Sequence, residues 1–175
     1  MKKLFLIMAI AGFSISTNAQ TKKGNNSGAT NFSIGLEGGL PVGQYPKGFD
    51  NPYSSVFGAS LQVENHVAPE ICLTLNAGYL SYGIKHVYQS TGGGNRFGVI
   101  PVMGGLKYYF SPSVFAHAQL GAGFGTSSGA KTSFAYSPGI GLNISQNLDA
   151  ELKYFALSNS NATLGSVGLR LAYNF

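Results

Sequence analysis

The stretch Val167-Gly168-Leu169-Arg170-Leu171-Ala172-Tyr173-Asn174-Phe175 closes the sequence and decides its fold. Large apolar side chains occupy every second position, and small or polar side chains occupy the positions between them. A period of two indicates a β-strand, because successive side chains of a strand point to opposite faces. The stretch therefore predicts a long strand that has one apolar and one polar face and ends on an aromatic residue.

Seven further segments of the chain alternate in the same way. They lie at residues 32–36, 57–63, 71–79, 100–110, 114–124, 134–144 and 148–154. Segments of roughly ten residues with this period are typical of transmembrane barrel strands, weak one by one and persuasive together. We therefore predict an all-β fold, an eight-stranded antiparallel transmembrane β-barrel in which the strands follow one another as an up-and-down meander.

The charged residues test the predicted faces independently, because the faces were assigned from apolar residues alone. The charges within the segments all fall opposite the apolar face: Glu37, Glu64, Lys107, His117, Asp149, Glu151, Lys153 and Arg170. A lysine or arginine that faces lipid at mid-bilayer costs about 2–4 kcal/mol, so a lipid environment would enforce this segregation. The polar face also carries many glycines and few large residues, which favours the interior of a narrow barrel over the surface of a soluble one.

The N-terminus has the features of a secretory signal peptide. Met1-Lys2-Lys3 is basic, residues 4–15 are apolar, and small residues follow, with cleavage expected after Ala19. The apolar run is shorter than the roughly 20 residues that a membrane-spanning helix needs. We predict three parts: a signal peptide at residues 1–19, a flexible periplasmic leader at 20–30, and an outer-membrane barrel domain at 31–175.

The predicted connections alternate between short and long. Tight turns are predicted near residues 65–69, 111–112 and 145–147, and longer loops at 41–55, 83–96, 125–132 and 157–162. Outer-membrane barrels have short periplasmic turns and longer external loops, so both chain termini are expected in the periplasm. Pro101 and Pro138 fall inside predicted strands, where proline indicates a bulge or a strand start.

With these features the chain resembles the small outer-membrane β-barrel family, which includes OmpX and the transmembrane part of OmpA. The resemblance covers nearly all of the chain after residue 19. Its specific element is the aromatic-ended terminal strand, in which Leu171, Tyr173 and Phe175 match the signal that such barrels present to the assembly machinery. The resemblance implies a bacterial outer-membrane location, contact with lipid and lipopolysaccharide, and the assembly machinery and periplasmic chaperones as partners during biogenesis. We expect the protein to be a monomer.

Composition and motifs argue against several other classes of function. The formal charge of +5 includes two lysines of the predicted signal peptide, so the remainder is too mildly basic to predict nucleic-acid binding. Cys72 is alone and is expected to be a buried thiol. His66, His86 and His117 lack metal-ligand spacing, and none has an evident nucleophile partner. The His-x-Ser pattern of barrel lipid A deacylases is absent after His117. We expect no metal, no cofactor and no catalytic residue.

Charges in the predicted lumen form the first candidate site. Strands one and eight must be neighbours in a closed barrel, and strand seven lies beside strand eight. Because charges in a narrow lumen need partners, we predict an ion network centred on Arg170 with Glu37 and Glu151. The remaining candidates for this lumen network are Lys107, Lys153 and His117. Such a network can pack the lumen, which is the interpretation we favour, or serve as a gate or selectivity filter.

Cations in the predicted loops form the second candidate site. Lys47, Lys85, Arg96 and Lys131 outnumber Asp50 and leave the loop end net basic. Such a rim could hold the phosphates of lipopolysaccharide, or it could simply be solvated. The leading expectation for function is therefore a non-enzymatic structural or surface role, in which the barrel stabilises the membrane and displays loops. The alternatives are a narrow pore for small solutes and adhesion through the loops.

Overall fold

The computed structural model of the chain describes residues 30–44, 51–85, 87, 96–127, 129–159 and 162–175. The predicted signal peptide and all of the predicted leader before Thr30 lie outside these residues. Lys47, Asp50 and His86 lie outside them as well.

The described residues form eight strands. They are β1 (Thr30–Gln44), β2 (Tyr53–Ala68), β3 (Ile71–Ile84), β4 (Arg96–Tyr109), β5 (Val114–Gly125), β6 (Thr132–Asn143), β7 (Leu148–Asn159) and β8 (Ala162–Asn174). Each strand pairs with its neighbours in the sequence, and β8 pairs antiparallel with β1 to close the barrel. The predicted fold class is confirmed. The described residues include no helix with the length and apolar character needed for a membrane crossing.

The alternation of side chains follows the predicted faces. In β8, Leu169 and Tyr173 are 55% and 52% exposed on the outside, whereas Arg170 and Ala172 between them are each 1% exposed. The other strands repeat this pattern, so large apolar side chains cover the outer wall. An apolar outer wall around a closed barrel is the surface that lipid requires.

The connections between strands give the barrel a turn end and a loop end. The turn end carries the connections at residues 69–70, 110–113 and 144–147, and the loop end carries those at 45–52, 85–95, 126–131 and 160–161. The strands extend further toward the loop end than their alternation predicts. The predicted loop at 157–162 is reduced to residues 160–161, because β7 and β8 pair as far as Asn159 and Ala162.

The prediction that Pro101 and Pro138 mark bulges or strand starts is wrong. Both lie inside strands, and the register is the same on either side of each. In β4, Val102 pairs with Ala77 of β3 and Val99 pairs with Leu80 of β3. The two β4 residues between them, one of which is Pro101, are not paired with β3. Proline lacks an N–H group, so it interrupts the ladder to one neighbour without requiring an extra residue.

Candidate functional site in the lumen

The eight predicted lumen charges all lie inside the barrel. Arg170, Lys107, Asp149 and Glu151 are each 1% exposed, and the Glu37 side chain is 8% exposed. They occupy the middle and the turn-end half of the lumen together with uncharged polar side chains. We call this group the polar network; its uncharged members are Ser33, Ser60, Gln62, Thr74, Asn76 and Gln119.

Arg170 lies at the seam where the last strand closes on the first. Its Nε donates a hydrogen bond to Ser60 Oγ on β2 at 3.0 Å, and its Nη2 donates one to Ser33 Oγ on β1 at 3.0 Å. Its Nη1 lies 3.7 Å from Asp149 Oδ1 on β7, an ion pair without a hydrogen bond. One side chain therefore connects four strands, β7, β8, β1 and β2.

The predicted ion pairs of Arg170 with Glu37 and Glu151 are wrong. Both glutamates are backbone partners of Arg170 across the neighbouring strands, as expected from a closed barrel. The guanidinium instead lies across Gly35 of β1, where a Cβ atom would be 2.6 Å from Nε. The missing side chain at Gly35 lets Arg170 pass over β1 and reach β2.

Two lysine–glutamate ion pairs also reach past the adjacent strand. Lys153 Nζ on β7 lies 2.7 Å from Glu37 Oε2 on β1, and Lys107 Nζ on β4 lies 2.5 Å from Glu64 Oε1 on β2. Lys107 Nζ also lies 4.2 Å from the ring centroid of Phe115, a cation–π contact. Each buried charge is thereby compensated, which a low-dielectric lumen requires.

A hydrogen-bonded chain runs through His117. Glu151 Oε1 lies 3.1 Å from His117 Nδ1, and Thr74 Oγ1 lies 2.9 Å from His117 Nε2. Glu151 reaches β5 by passing over Gly139 of β6, where a Cβ atom would lie 2.6 Å from its carboxylate. A hydroxyl, an imidazole and a carboxylate in this order resemble an activated nucleophile. Here all three side chains are packed inside the lumen, His117 being 2% and Thr74 6% exposed, which favours a structural role.

Sequence reasoning missed the uncharged members of the polar network. Gln62 donates to Glu64 at 2.8 Å and accepts from Asn76 at 3.1 Å, so it extends the Lys107 ion pair around the lumen. The signal was available, because these side chains share the inward face with the charged residues. Searching that face for every polar residue rather than for charges would have found them.

Large apolar side chains fill the loop-end half of the lumen. We call this group the apolar cluster: Val56, Leu80, Tyr82, Val99, Met103, Ala135, Phe155 and Leu157. The expectation that the inward face has few large residues is therefore wrong. The inward glycines do not leave open space, because neighbouring side chains occupy it; Leu157 lies over Gly123, and Leu80 lies over Gly58.

A small cavity lies where the apolar cluster meets the polar network. Its lining includes Glu37, Lys153, Ser166, Val56 and Phe155, and its volume of about 20 Å³ fits about one water molecule. The described residues contain no group of three or more histidine, cysteine, aspartate or glutamate side chains that could hold a metal ion. Cys72 is a free, fully buried thiol, as predicted.

The remaining predicted site residues that the structure describes lie on the outside. Lys85, Arg96 and Lys131 are exposed at the loop end, and Arg96 Nη1 donates to Ser81 Oγ at 3.1 Å. Leu171, Tyr173 and Phe175 are exposed along the outer face of the closing strand. The Phe175 amide donates to the Phe32 carbonyl at 2.9 Å, which ties the end of the chain to β1.

Comparison with known proteins gives the family. No curated protein sequence matches the chain. Among solved structures, Ail, the attachment invasion locus protein of Yersinia pestis, is 20% identical with a TM-score of 0.63, over 86% of this chain and 100% of that one. The N-terminal β-barrel domain of Pseudomonas aeruginosa OprF is 14% identical with a TM-score of 0.50, over 85% of this chain and 100% of that one. Residues 60–148, slightly more than half of the chain, match the OprF membrane domain family. The chain therefore belongs to the OprF membrane domain family of outer-membrane β-barrels.

Proposed function

We propose that this chain is a closed, non-conducting barrel that stabilises the bacterial outer membrane and displays loops at its surface. The observation that carries the proposal is the apolar cluster, which crosses the lumen on the loop side of the polar network. Apolar constrictions close pores because water leaves them. Eight-stranded barrels are also narrow enough for their own side chains to fill them.

The orientation of the barrel is part of this proposal. We place the turn end and both termini in the periplasm and the loop end outside the cell. The connections support this placement, because the turn end carries residues 69–70, 110–113 and 144–147, whereas the loop end includes the longer segments 45–52 and 85–95. Outer-membrane barrels have this asymmetry.

The two alternatives have less support. A small-solute pore needs a continuous water path, but the cavity beside Lys153 fits about one water molecule and Val56, Leu80 and Phe155 line it. Adhesion through the loops would draw on the likeness to Ail, which at 20% identity concerns the fold alone. The proposed role needs no catalytic residue, and the packed His117 chain fits it.

Conductance in a planar bilayer tests the proposal directly. The full chain is expressed in bacteria and purified from the outer membrane, and its folding is checked by the shift in gel mobility between unheated and heated samples. We expect a folded barrel that adds no discrete current steps, because water does not enter the apolar cluster. Reproducible steps from the folded wild-type protein would overturn the proposal in favour of the pore.

A pair of variants then identifies which half of the lumen holds the barrel closed. Phe155→Ala combined with Leu157→Ala empties part of the apolar cluster, and Leu152→Ala on the outer face of the same strand is the matched control. Current steps in the double variant alone assign closure to the apolar cluster. Silence in both variants assigns it to the polar network as well.

A further inference from the structure

The exposed charges of the described residues are separated between the two ends of the barrel. Lys85, Arg96 and Lys131 are exposed at the loop end, and Glu70 is exposed in the turn between β2 and β3. Every other charged side chain in the described ranges lies in the lumen. The described part of the loop end therefore presents cations without a carboxylate beside them, a distribution suited to an anionic partner.

Arg96 belongs to the outer wall rather than to the mouth of the barrel. It is the first residue of β4, pairs with Gly83 of β3 and alternates in phase with Ile100, which is 42% exposed on the outside. The hydrogen bond from its Nη1 to Ser81 Oγ at 3.1 Å holds the guanidinium against β3. Arg96 thus lies on the outer wall, nearer the loop end than the exposed apolar side chains of β4.

Lys85 adds a second cation beside this position. It follows the last residue of β3 and continues the outward phase of Tyr79, which is 47% exposed. Its backbone amide donates to the Pro52 carbonyl at 2.8 Å, which fixes the chain where β3 ends. Lys85 and Arg96 therefore lie at the adjacent ends of β3 and β4. Tyr79 lies closer to the middle of the barrel wall than either cation.

The geometry points to a binding site for a lipid phosphate, in which Arg96 and Lys85 hold a phosphate group of lipopolysaccharide in the outer leaflet. Guanidinium and ammonium groups together form strong charge-assisted hydrogen bonds to phosphate oxygens. A tyrosine on the bilayer side matches the aromatic residues that mark membrane interfaces. The assignment rests on the proposed orientation, which places the loop end outside the cell.

Binding of lipopolysaccharide to the full chain in detergent micelles tests the site. Variants Lys85→Gln and Arg96→Gln are combined, and Lys131→Gln, which removes another exposed loop-end cation just before β6, is the matched control. We expect the double variant to lose about tenfold in affinity, the effect of one charge-assisted hydrogen bond. The control should lose less than about twofold, as an unpaired surface charge does.

Three further probes identify the source of the phosphate: lipopolysaccharide without its lipid A phosphates, phosphatidylglycerol vesicles and inorganic phosphate. The site is supported if the double variant differs from wild type only with phosphorylated lipopolysaccharide. An equal loss in Lys131→Gln, an unchanged double variant, or an equal effect with the other probes overturns it. Arg96 belongs neither to the apolar cluster nor to the polar network, so failure of the site leaves the proposal of a closed barrel standing.

Discussion

The apolar cluster and the polar network fill two halves of one lumen with opposite chemistry. On the loop side, Phe155 and Leu157 pack among other mainly apolar side chains, and their own contacts are non-directional. On the turn side, Arg170 and His117 each depend on particular atoms at hydrogen-bond distance. Both halves fill the lumen, but only the second does so through contacts that fail when one partner is lost.

This difference reflects how packing and polar contacts respond to change. Apolar cores tolerate substitutions that conserve volume, because dispersion contacts are numerous and non-directional. A buried charge that loses its partner keeps its desolvation cost and gains nothing in return. The polar network should therefore be the more fragile half when a single side chain is altered.

The largest effect is expected from Arg170→Ala. The substitution removes hydrogen bonds to Ser33 and Ser60 and leaves Asp149 without its cation, so the free energy of unfolding should fall by about 5 kcal/mol. Urea unfolding in lipid vesicles, followed by gel mobility, measures this change. A loss below about 1 kcal/mol would show that the seam does not depend on Arg170.

Gly35→Ala tests the same contact from the other side. A methyl group there would lie 2.6 Å from Arg170 Nε and should displace the guanidinium, so the double variant with Arg170→Ala should lose less than the sum of the single losses. Gly104→Ala is the matched control, because its Cβ atom would meet only the Thr74 carbonyl oxygen, at 3.9 Å.

A smaller effect is expected in the apolar half, from Phe155→Ala. Phe155 is 2% exposed, so truncation leaves a cavity and should lower the free energy of unfolding by about 3 kcal/mol. Phe155→Leu should cost less than about 1.5 kcal/mol, because the cluster can repack around a similar volume. The same urea measurement applies, and comparable losses for both variants would remove the contrast between the two halves.

The smallest effect is expected from Thr74→Val, which keeps the shape of the side chain and removes its hydroxyl. His117 Nε2 then loses the partner it has at 2.9 Å, and a buried unsatisfied nitrogen should cost about 1–2 kcal/mol. Thr132→Val, at an exposed strand end, serves as the control and should stay within about 0.5 kcal/mol. If the two variants unfold alike, the His117 chain contributes no stability.

Much of the fold could be predicted from local sequence. Alternation over the terminal strand assigned Leu169 to the outside and Arg170 to the lumen. Successive side chains of a strand point to opposite faces, so once one residue is placed outside, the next must point inward. Strand ends were predicted less well, since β7 and β8 pair beyond their alternating residues. The prolines were misjudged because the strand on the other side of each can continue the ladder.

The partners within the lumen could not be predicted in the same way. Backbone neighbours were identified correctly, since Glu37 does pair with Arg170 across the closing seam. The contacts that Lys107, Lys153 and His117 make with carboxylates instead join side chains two strands apart. In a narrow barrel, a long side chain can extend across the adjacent strand to the next one. An inward glycine such as Gly35 leaves the space that the side chain needs.

By itself, the sequence determined that this chain forms a membrane barrel and which charged side chains enter its lumen. A period of two gives each strand two faces, and the cost of a charge in lipid decides which face points inward. The tertiary structure decided which charges meet, and that Phe155 and Leu157 close the loop-end half. Those outcomes depend on the closed register of all eight strands, which places residues far apart in the chain across a lumen that alternation alone does not describe.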